Sequence, residues 1–225
     1  MPWSSCSLPR SIISWRCAPS FRRSRRRSST IYSVALLMTK ADKPAASAVT
    51  AGEPLVAAAR HGDRYAFDRL MTRDAPRLVR FAISQGLSED DANDVAQDTF
   101  VAVYRNLHRY DPSRPFQTWL FAIARNKLRD HFRRRSVLKW IGAEDTLEQI
   151  PTDAPSPERQ TSDRQALDAT EQAIAKLPEG LRIPLLLASI EGLSLSEIGE
   201  IMGISAKAAE VRVYRARRKI KSDMG

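Results

Sequence analysis

A proline-bounded turn between two amphipathic segments is the feature that most limits how this chain can fold. Residues 111–115 read Asp-Pro-Ser-Arg-Pro. Neither proline has a backbone N–H to donate, and each disfavours helical geometry in the residue before it. Residues 91–107 and 116–134, on either side of the turn, both repeat apolar side chains every three or four positions. This spacing is typical of one buried face of a helix, so the stretch 91–135 predicts a helical hairpin.

Three different surfaces are predicted on this hairpin. The first turns of its first helix carry Asp94, Asp98 and their acidic neighbours, with no Lys or Arg among them. That many acids exceed what the positive end of a helix dipole needs. Aromatic side chains surround the turn, and basic side chains follow the second helix to Arg135. Taken singly, each surface has a structural alternative: a solvated helix start, core aromatics and a solvated helix end.

The charge of the chain is unevenly distributed. The net charge is +10, but residues 1–37 hold seven arginines and no acid, and removing these seven charges leaves +3. Residues 125–139 carry seven Lys or Arg against one acid, and residues 203–221 carry the same ratio. Residues 144–171 between them carry eight acids against two arginines. Two basic patches separated by an acidic spacer indicate two points of contact with a polyanion.

Several classes of site are not expected. The two cysteines, Cys6 and Cys17, lie outside the predicted domains, as suits a reducing cytosol, and we expect a cytoplasmic protein. His61, His108 and His131 occur singly without metal-ligand spacing, so we interpret them as structural. No nucleophile with a base, phosphate-binding glycine loop or paired-carboxylate motif is present. We therefore expect no enzyme activity, cofactor or metal. We also expect no membrane span, because no apolar run approaches the roughly 18 to 20 residues that a span requires.

The first 52 residues are predicted to be disordered, because they are rich in Arg, Ser, Pro and Ala and lack apolar periodicity. An organellar transit peptide would share this acid-free, Arg- and Ser-rich composition, and a basic arm on DNA is a further alternative. We favour a simpler interpretation, in which translation begins at Met38.

The rest of the chain predicts an all-α protein of two small domains. Residues 53–136 have the periodicity of a compact bundle of about four helices, and no strand pattern competes. Residues 137–164 contain three prolines and most of the acidic excess, which predicts a flexible linker. Residues 165–225 form the second helical domain.

The second domain ends in a predicted helix-turn-helix. Ser194 and Glu197 have the spacing of a capping box, Gly203 follows the short helix that they begin, and Ser205 can cap the next helix. Two short helices joined by a glycine-containing turn are typical of this DNA-binding motif. Small core-facing residues and long cations on the open side of the second helix suit insertion into the major groove.

On these residues the chain resembles the extracytoplasmic-function (ECF) sigma factors, the minimal two-domain class of the main bacterial sigma factor family. The matching segments are DVAQDTFVAVYRNLHRYDPSRPFQTWLFAIARNKLRDHFRRR for the second region of the family and LPEGLRIPLLLASIEGLSLSEIGEIMGISAKAAEVRVYRARRKI for the fourth. The resemblance extends from about Leu55 to Lys221 and keeps both domains in order. It is therefore more specific than a lone helix-turn-helix.

The resemblance implies a division of roles among the predicted surfaces. In the family, the acidic helix binds the β′ clamp of core RNA polymerase, and the corresponding residues here are Asp94, Gln97, Asp98 and Thr99. In the family, an aromatic and basic segment melts the minus-ten promoter element and holds the extruded bases. The residues of this chain that match that segment are Tyr110, Arg114, Phe116, Trp119, Arg125, Asn126 and Arg129. In the family, the helix-turn-helix reads the minus-thirty-five duplex. The residues of this chain that match its DNA-reading positions are Ser205, Lys207, Ala208, Arg212 and Arg215.

Further implications are a β flap contact, promoter DNA as a ligand, a stress-responsive role and an anti-sigma partner, although no residue identifies that partner. The recognition helix departs from the family pattern, since Ala208 and Glu210 replace a common threonine and lysine. Gly199 stands where alanine is usual. Two other classes share some of these features: a helix-turn-helix transcriptional regulator that is not a sigma subunit, and an interaction module without DNA contact.

Overall fold

A computed structural model describes residues 53–140 and 172–224 together with Thr170, and the regular structure in this part is entirely helical. The predicted all-α class is confirmed, whereas the predicted tail and most of the predicted linker lie outside the described residues. The helices are α1 (Pro54–Arg60), α2 (Arg64–Ser84), α3 (Glu89–Asn106), a 3₁₀ turn (Leu107–Arg109), α4 (Phe116–Trp140), α5 (Glu179–Ser189), α6 (Leu195–Met202) and α7 (Ala206–Met224).

Helices α1 to α4 form the bundle that the sequence predicts, with two differences in extent. Asp63 caps α2 by accepting a hydrogen bond from the backbone N–H of Ala66 at 3.1 Å. Helix α2 then continues through Pro76 to Ser84, whereas the apolar periodicity indicates two stretches, one reaching Leu70 and another from Ala75 to Ile83. The buried Ala75 and Leu78 flank this proline, and their burial supports helical backbone across it.

Helix α4 also runs longer than expected. It reaches Trp140, four residues beyond the predicted domain boundary at 136. The residues from Val137 to Trp140 include neither proline nor glycine, so no local signal ends the helix there.

Four phenylalanines form the centre of the first domain. Phe67, Phe81, Phe100 and Phe121 are all at most 1% exposed. Phe81 on α2 meets Phe121 on α4 edge to face with ring centroids 5.4 Å apart. Large rings in this arrangement fix the spacing of α2, α3 and α4, and this spacing holds the hairpin in place.

The helix-turn-helix has the predicted caps. The Ser194 hydroxyl accepts a hydrogen bond from the backbone N–H of Glu197, and the carboxylate of Glu197 accepts one from the backbone N–H of Ser194, which completes the capping box. Gly203 ends α6 with φ +67°, a left-handed conformation that glycine adopts without steric cost. A Cβ at Gly199 would lie only 2.8 Å from the backbone oxygen of Ile204, so glycine permits this tight turn.

The two halves also pack against each other, which the sequence did not predict. Helix α6 lies on α4, and Ile198, Ile201 and Met202 belong to the same buried cluster as Leu120 and Ala124 of α4. A second cluster, built from α5, α7 and the residues just before α5, lies within the C-terminal half. The C-terminal half therefore has its own core, and in addition α6 makes an apolar contact with the first domain.

We predict that Gly199→Ala does not stabilise the protein, although alanine exceeds glycine in helix propensity by about 1 kcal/mol. The added Cβ would press on the Ile204 backbone, which cannot rotate away as a side chain can. Gly180→Ala is the matched control, because its Cβ would meet only the Arg212 guanidinium at 3.9 Å. Urea unfolding followed by circular dichroism should show a gain for Gly180→Ala alone. An equal gain at both positions would contradict the packing argument.

Candidate nucleic-acid interface

The acidic start of α3 is exposed and well capped. The Ser88 hydroxyl accepts a hydrogen bond from the backbone N–H of Asp91 and donates one to its carboxylate at 2.7 Å. Asp94 and Asp98 lie on the surface, and Gln97 is half-buried beside them. Three of the four residues predicted to bind core polymerase thus share an accessible face.

Thr99, the fourth residue of that set, lies inside the bundle. Its side chain is fully buried, and its hydroxyl donates to the backbone oxygen of Val95 at 2.7 Å. Thr99 lies three and four positions after the apolar Ala96 and Val95, which is the spacing of one helix face, and it packs behind the acidic face.

The aromatic residues of the turn form one cluster with unequal exposure. The rings of Tyr110, Phe116 and Trp119 have centroids 5.2 to 5.9 Å apart. Tyr110 and Phe116 are buried, whereas Trp119 is half-buried. Of these three predicted single-strand residues, only Trp119 presents part of its ring to solvent, and the other two pack beneath it.

Hydrogen bonds hold the turn itself. The Tyr110 hydroxyl donates to the backbone oxygen of Arg114, and burial raises the pKa of the Tyr110 phenol, so this hydroxyl stays protonated. Asp111 accepts a hydrogen bond from the backbone N–H of Ser113 at 2.9 Å, and this bond lowers the pKa of the Asp111 carboxyl. The turn is thus a fixed structure that positions Trp119 and the exposed Arg114.

A cleft of about 360 Å³ opens beside Trp119, between α3 and α4. Its volume lies at the lower end of the range for small-molecule pockets and suits one planar group such as a base. Sequence reasoning had identified only Trp119 and Asn126 among its lining residues. The others are Ala102, Asn106, Arg109, Ile123, Lys127 and Asp130. Those on α4 share one face at helical spacing with Trp119, and this spacing was the signal that could have revealed them.

The basic end of α4 divides into two parts. Asn126 and Arg129 are exposed, as a strand-binding surface requires. Arg125 is half-buried, and its guanidinium donates to the backbone oxygen of Ile201 on α6 at 3.1 Å. Burial lowers the pKa of Arg125, with the nearby Arg129 adding to the effect. Arg125 therefore contacts the second domain in this structure.

The recognition helix α7 shows a similar division. Ser205 caps it by accepting from the backbone N–H of Ala208 at 3.1 Å, and Lys207 pairs with Glu210 at 2.7 Å. Ala208 is half-buried, and Arg215 is exposed. Arg212 is half-buried, with its guanidinium near Gly180 at the start of α5. Of the two arginines predicted to read the duplex, Arg215 is the accessible one here.

Two further side chains on the open face of α7, Val211 and Tyr214, were not among the residues predicted from the sequence to bind duplex DNA. Val211 is 37% exposed and Tyr214 is 65% exposed. They lie four and seven positions after Lys207, which is the helical spacing of one face. Valine methyls can contact thymine methyls in a major groove, and a tyrosine hydroxyl can bind a phosphate.

No group of three or more His, Cys, Asp or Glu residues that could hold a metal ion occurs in the described part of the chain. Among the same residues, no helix is long and apolar enough to cross a membrane.

Comparisons with known proteins agree with both matched segments. Residues 70–137 match the family Sigma-70 region 2, and residues 167–220 match the family Sigma-70, region 4. The chain is 41% identical over 172 residues to RNA polymerase sigma factor CnrH of Cupriavidus metallidurans, covering 74% of this chain and 90% of that protein. It is 30% identical over 155 residues to ECF RNA polymerase sigma factor SigE of Mycolicibacterium smegmatis, covering 69% and 60% respectively.

A solved structure of CnrH in complex with the cytosolic domain of CnrY is similar to this chain. The TM-score is 0.58 at 34% sequence identity, and the match covers 76% of this chain and 96% of that one. Most of the described helices therefore have counterparts in one known structure.

We predict that Tyr110→Phe lowers the free energy of unfolding by about 1 kcal/mol, because it removes the hydrogen bond that closes the turn and leaves the Arg114 carbonyl without this donor. Tyr65→Phe is the control, since the Tyr65 side chain is exposed and its hydroxyl accepts a hydrogen bond from Arg69 at 3.3 Å on the surface. Urea unfolding measures both variants. Equal stability of Tyr110→Phe and the native chain would show that this bond does not hold the turn.

Proposed function

Because this chain belongs to the sigma-70 family as an ECF RNA polymerase sigma factor, we propose that it directs promoter-specific initiation through three separate surfaces. The observation that carries the proposal is that regions 2 and 4 occur in order, each with an accessible surface of suitable chemistry. The acidic face of α3 would bind polymerase, the cleft beside Trp119 would hold a single strand, and α7 would read duplex DNA. We propose no catalytic residue for this chain.

The acidic face of α3 suits the β′ clamp of core polymerase. Its exposed Asp94 and Asp98 lie one turn apart on a helix that Ser88 caps. Exposed carboxylates contribute little to folding, and basic groups of a partner can reach them from solvent. Complementary charge of this kind accelerates encounter and improves binding. We propose the β flap as the second polymerase contact, through the C-terminal domain.

We predict that Asp94→Ala with Asp98→Ala weakens binding to core polymerase at least several-fold. The same change should cost the fold only tenths of a kcal/mol to about 1 kcal/mol, because both side chains are exposed. Core binding measured by fluorescence anisotropy, with circular dichroism as a check on folding, tests this. Asp223→Ala controls for the loss of acidic charge elsewhere. Unchanged affinity of the double variant would remove α3 from the polymerase contact.

The cleft beside Trp119 suits a base extruded from the minus-ten element. Trp119 offers part of a ring for stacking, and Asn106 and Asn126 line the same cleft with amide groups that can bind base edges. Arg109 and Lys127 supply positive charge beside it. Stacking together with cations along the backbone is the chemistry of single-strand capture, and each stacked base contributes about 1–3 kcal/mol.

The exposed face of α7 suits the major groove of the minus-thirty-five element. Lys207 and Arg215 supply cations for phosphates or guanine edges, and Val211 and Tyr214 lie on the open side of the same helix. The Glu210 carboxylate, paired with Lys207, replaces a lysine common in the family. We therefore propose a duplex preference different from that of relatives with lysine there.

We predict that Trp119→Ala and Arg215→Ala fail at different steps of initiation. Loss of the tryptophan ring should slow strand opening while leaving the upstream contact intact. Loss of the arginine should reduce initiation on duplex promoter, yet have little effect on a template that is already melted and needs no upstream contact. Permanganate reactivity of unpaired thymines on matched and pre-melted templates separates the two. If both variants are equally impaired on both templates, the proposed division is wrong.

An anti-sigma protein is the proposed regulatory partner. The solved CnrH structure contains the cytosolic domain of CnrY, a protein bound to a sigma factor. A relative that is 41% identical over most of its length supports the same kind of regulation here. We propose that the chain acts in the cytoplasm, in a stress-responsive system.

Reconstitution with core polymerase tests the proposed function as a whole. The purified chain and bacterial core enzyme are mixed with fragmented genomic DNA, and the 5′ ends of the transcripts are sequenced. Discrete start sites that share upstream motifs are expected, and core enzyme alone should not produce them. Activation that requires a second sigma factor would instead favour the helix-turn-helix regulator.

A further inference from the structure

A carboxylate lies among the cations of the cleft beside Trp119. Asp130 is half-buried and lines this cleft together with Arg109 and Lys127. Cations attract the phosphates of a DNA strand, whereas a carboxylate repels them. Binding of the backbone therefore gives no reason for an acid at this place. Binding of a base does, because a carboxylate accepts hydrogen bonds from the N–H groups of a base edge.

The bond that Asp130 makes within its own helix leaves it able to bind a ligand. Its Oδ1 accepts a hydrogen bond from the guanidinium of Arg133 at 3.1 Å. Both side chains are open to solvent, at 41% and 77% exposed, and surface pairs of this kind contribute little to the fold. A carboxylate has two oxygens that together accept several hydrogen bonds, so Oδ2 can still accept from a base.

The wall formed by α3 supplies a second acceptor. Asn106 donates from its Nδ2 to the backbone oxygen of Ala102 at 2.8 Å, and both residues line the cleft. This bond orients the amide and leaves Oδ1 as its accepting end. On α4, Lys127 lies three positions before Asp130, which is the spacing of one helix face, and supplies a cationic donor. The cleft thus combines two acceptors and a cation with the half-buried ring of Trp119.

The Watson–Crick edges of the four bases fit this set of groups unequally. Guanine presents two adjacent donors, N1–H and the N2 amino group, followed by the acceptor O6. Cytosine and adenine each present one amino donor next to acceptors, and thymine presents N3–H between two carbonyl oxygens. One carboxylate can accept both guanine donors together, and a lysine ammonium is a common donor to guanine O6. Thymine would instead bring its carbonyl oxygens against the carboxylate.

On the basis of the proposed function, we propose that the cleft selects guanine at one position of the minus-ten element, in the non-template strand. The guanine ring stacks on Trp119, and its N1–H and N2 amino group donate to Asp130, with the Asn106 amide oxygen as a further acceptor. Its O6 accepts from Lys127. Asp130 is thus a specificity-determining residue of the single-strand site.

Stacking and hydrogen bonding contribute differently to this selection. Stacking on Trp119 is tolerant of sequence, because every base has an aromatic face. A wrong base leaves the Asp130 carboxylate facing an acceptor, or without a donor in a partly desolvated cleft, and this costs more than a missing bond alone. Loss of the carboxylate should therefore change which base is preferred more than it changes how tightly strands bind.

Selection from randomised single strands tests the proposal in the full chain. Short DNA strands of random sequence are bound to the chain, with and without core polymerase, and the bound strands are sequenced and aligned. We expect one position at which guanine is enriched over thymine by roughly tenfold, the discrimination typical of a good paired contact. Absence of any guanine-selective position would overturn the proposal.

Asp130→Asn exchanges one accepting oxygen for an amide donor of the same size. It should abolish the guanine preference at that position and leave the preferences at other positions unchanged. Arg133→Gln is the matched control, because it removes the partner of Asp130 and keeps the carboxylate. This control should retain guanine at the position, whatever the lost charge does to total binding. Retention of guanine in Asp130→Asn, or equal loss in both variants, would overturn the proposal.

Inosine in place of the selected guanine gives a second measurement. It keeps N1–H and O6 but lacks the N2 amino group. The native chain should bind the inosine strand several-fold more weakly than the guanine strand, whereas Asp130→Asn should show little of this penalty, since the two changes remove the same contact. An undiminished penalty in Asp130→Asn would place the N2 contact elsewhere and overturn the assignment of Asp130.

The outcomes separate this proposal from the proposed function. Strand selection requires no initiation from duplex DNA. If Asp130 governs a guanine preference but the reconstituted enzyme does not initiate, the base assignment stands and the sigma role fails. If initiation occurs and no guanine-selective position appears, the base assignment alone is wrong.

Discussion

Helix α4 packs on two sides at once, and both halves of the molecule depend on this. On one side, Leu120, Phe121 and Leu128 belong to the core that α2 and α3 share. On another side, the helix meets α6, with Thr118 and Arg125 supplying hydrogen bonds. A helix fixed in this way gives the cleft beside Trp119 a rigid wall. The same helix provides the surface on which α6 of the C-terminal domain packs.

In the turn before α4, the residues that hold the structure differ from the residues that a ligand can reach. Tyr110 and Phe116 are buried and hold the turn, while Trp119 and Arg114 remain accessible. Aromatic rings that pack against one another resist rearrangement, so the accessible ring is held before any base arrives. Pre-ordering of this kind lowers the entropy lost on binding. The buried pair thus supports the accessible ring of the proposed single-strand site.

Charge has two opposite roles in this structure. The acids of α3 are exposed and contribute little to the fold, which leaves them available to a partner. Glu191 and Glu197 are instead buried against the first domain. Burial raises the pKa of the Glu191 carboxyl, and the guanidinium of Arg77 opposes this shift by stabilising the charged carboxylate. Composition alone does not distinguish these two sets, since both consist of carboxylates on or beside helices. Their surroundings decide which carboxylate binds a partner and which binds its own chain.

The sequence by itself determined the helices, their caps and the family. Apolar periodicity, the prolines of the turn and the pair Ser194 and Glu197 act through neighbours within a few positions, so they can be read along the chain. The ends of α2 and α4 were less predictable, because tertiary packing carries one helix through Pro76 and no local signal stops the other at 136.

Only the tertiary structure decided the exposure of individual site residues and the contact between the domains. Periodicity assigned Thr99 to an apolar face but could not show that Tyr110 and Phe116 lie beneath Trp119. The bond between Thr118 and Glu197 joins residues 79 positions apart. Neither residue carries a local mark of that pairing, because it arises when two apolar surfaces meet and bury the polar groups between them.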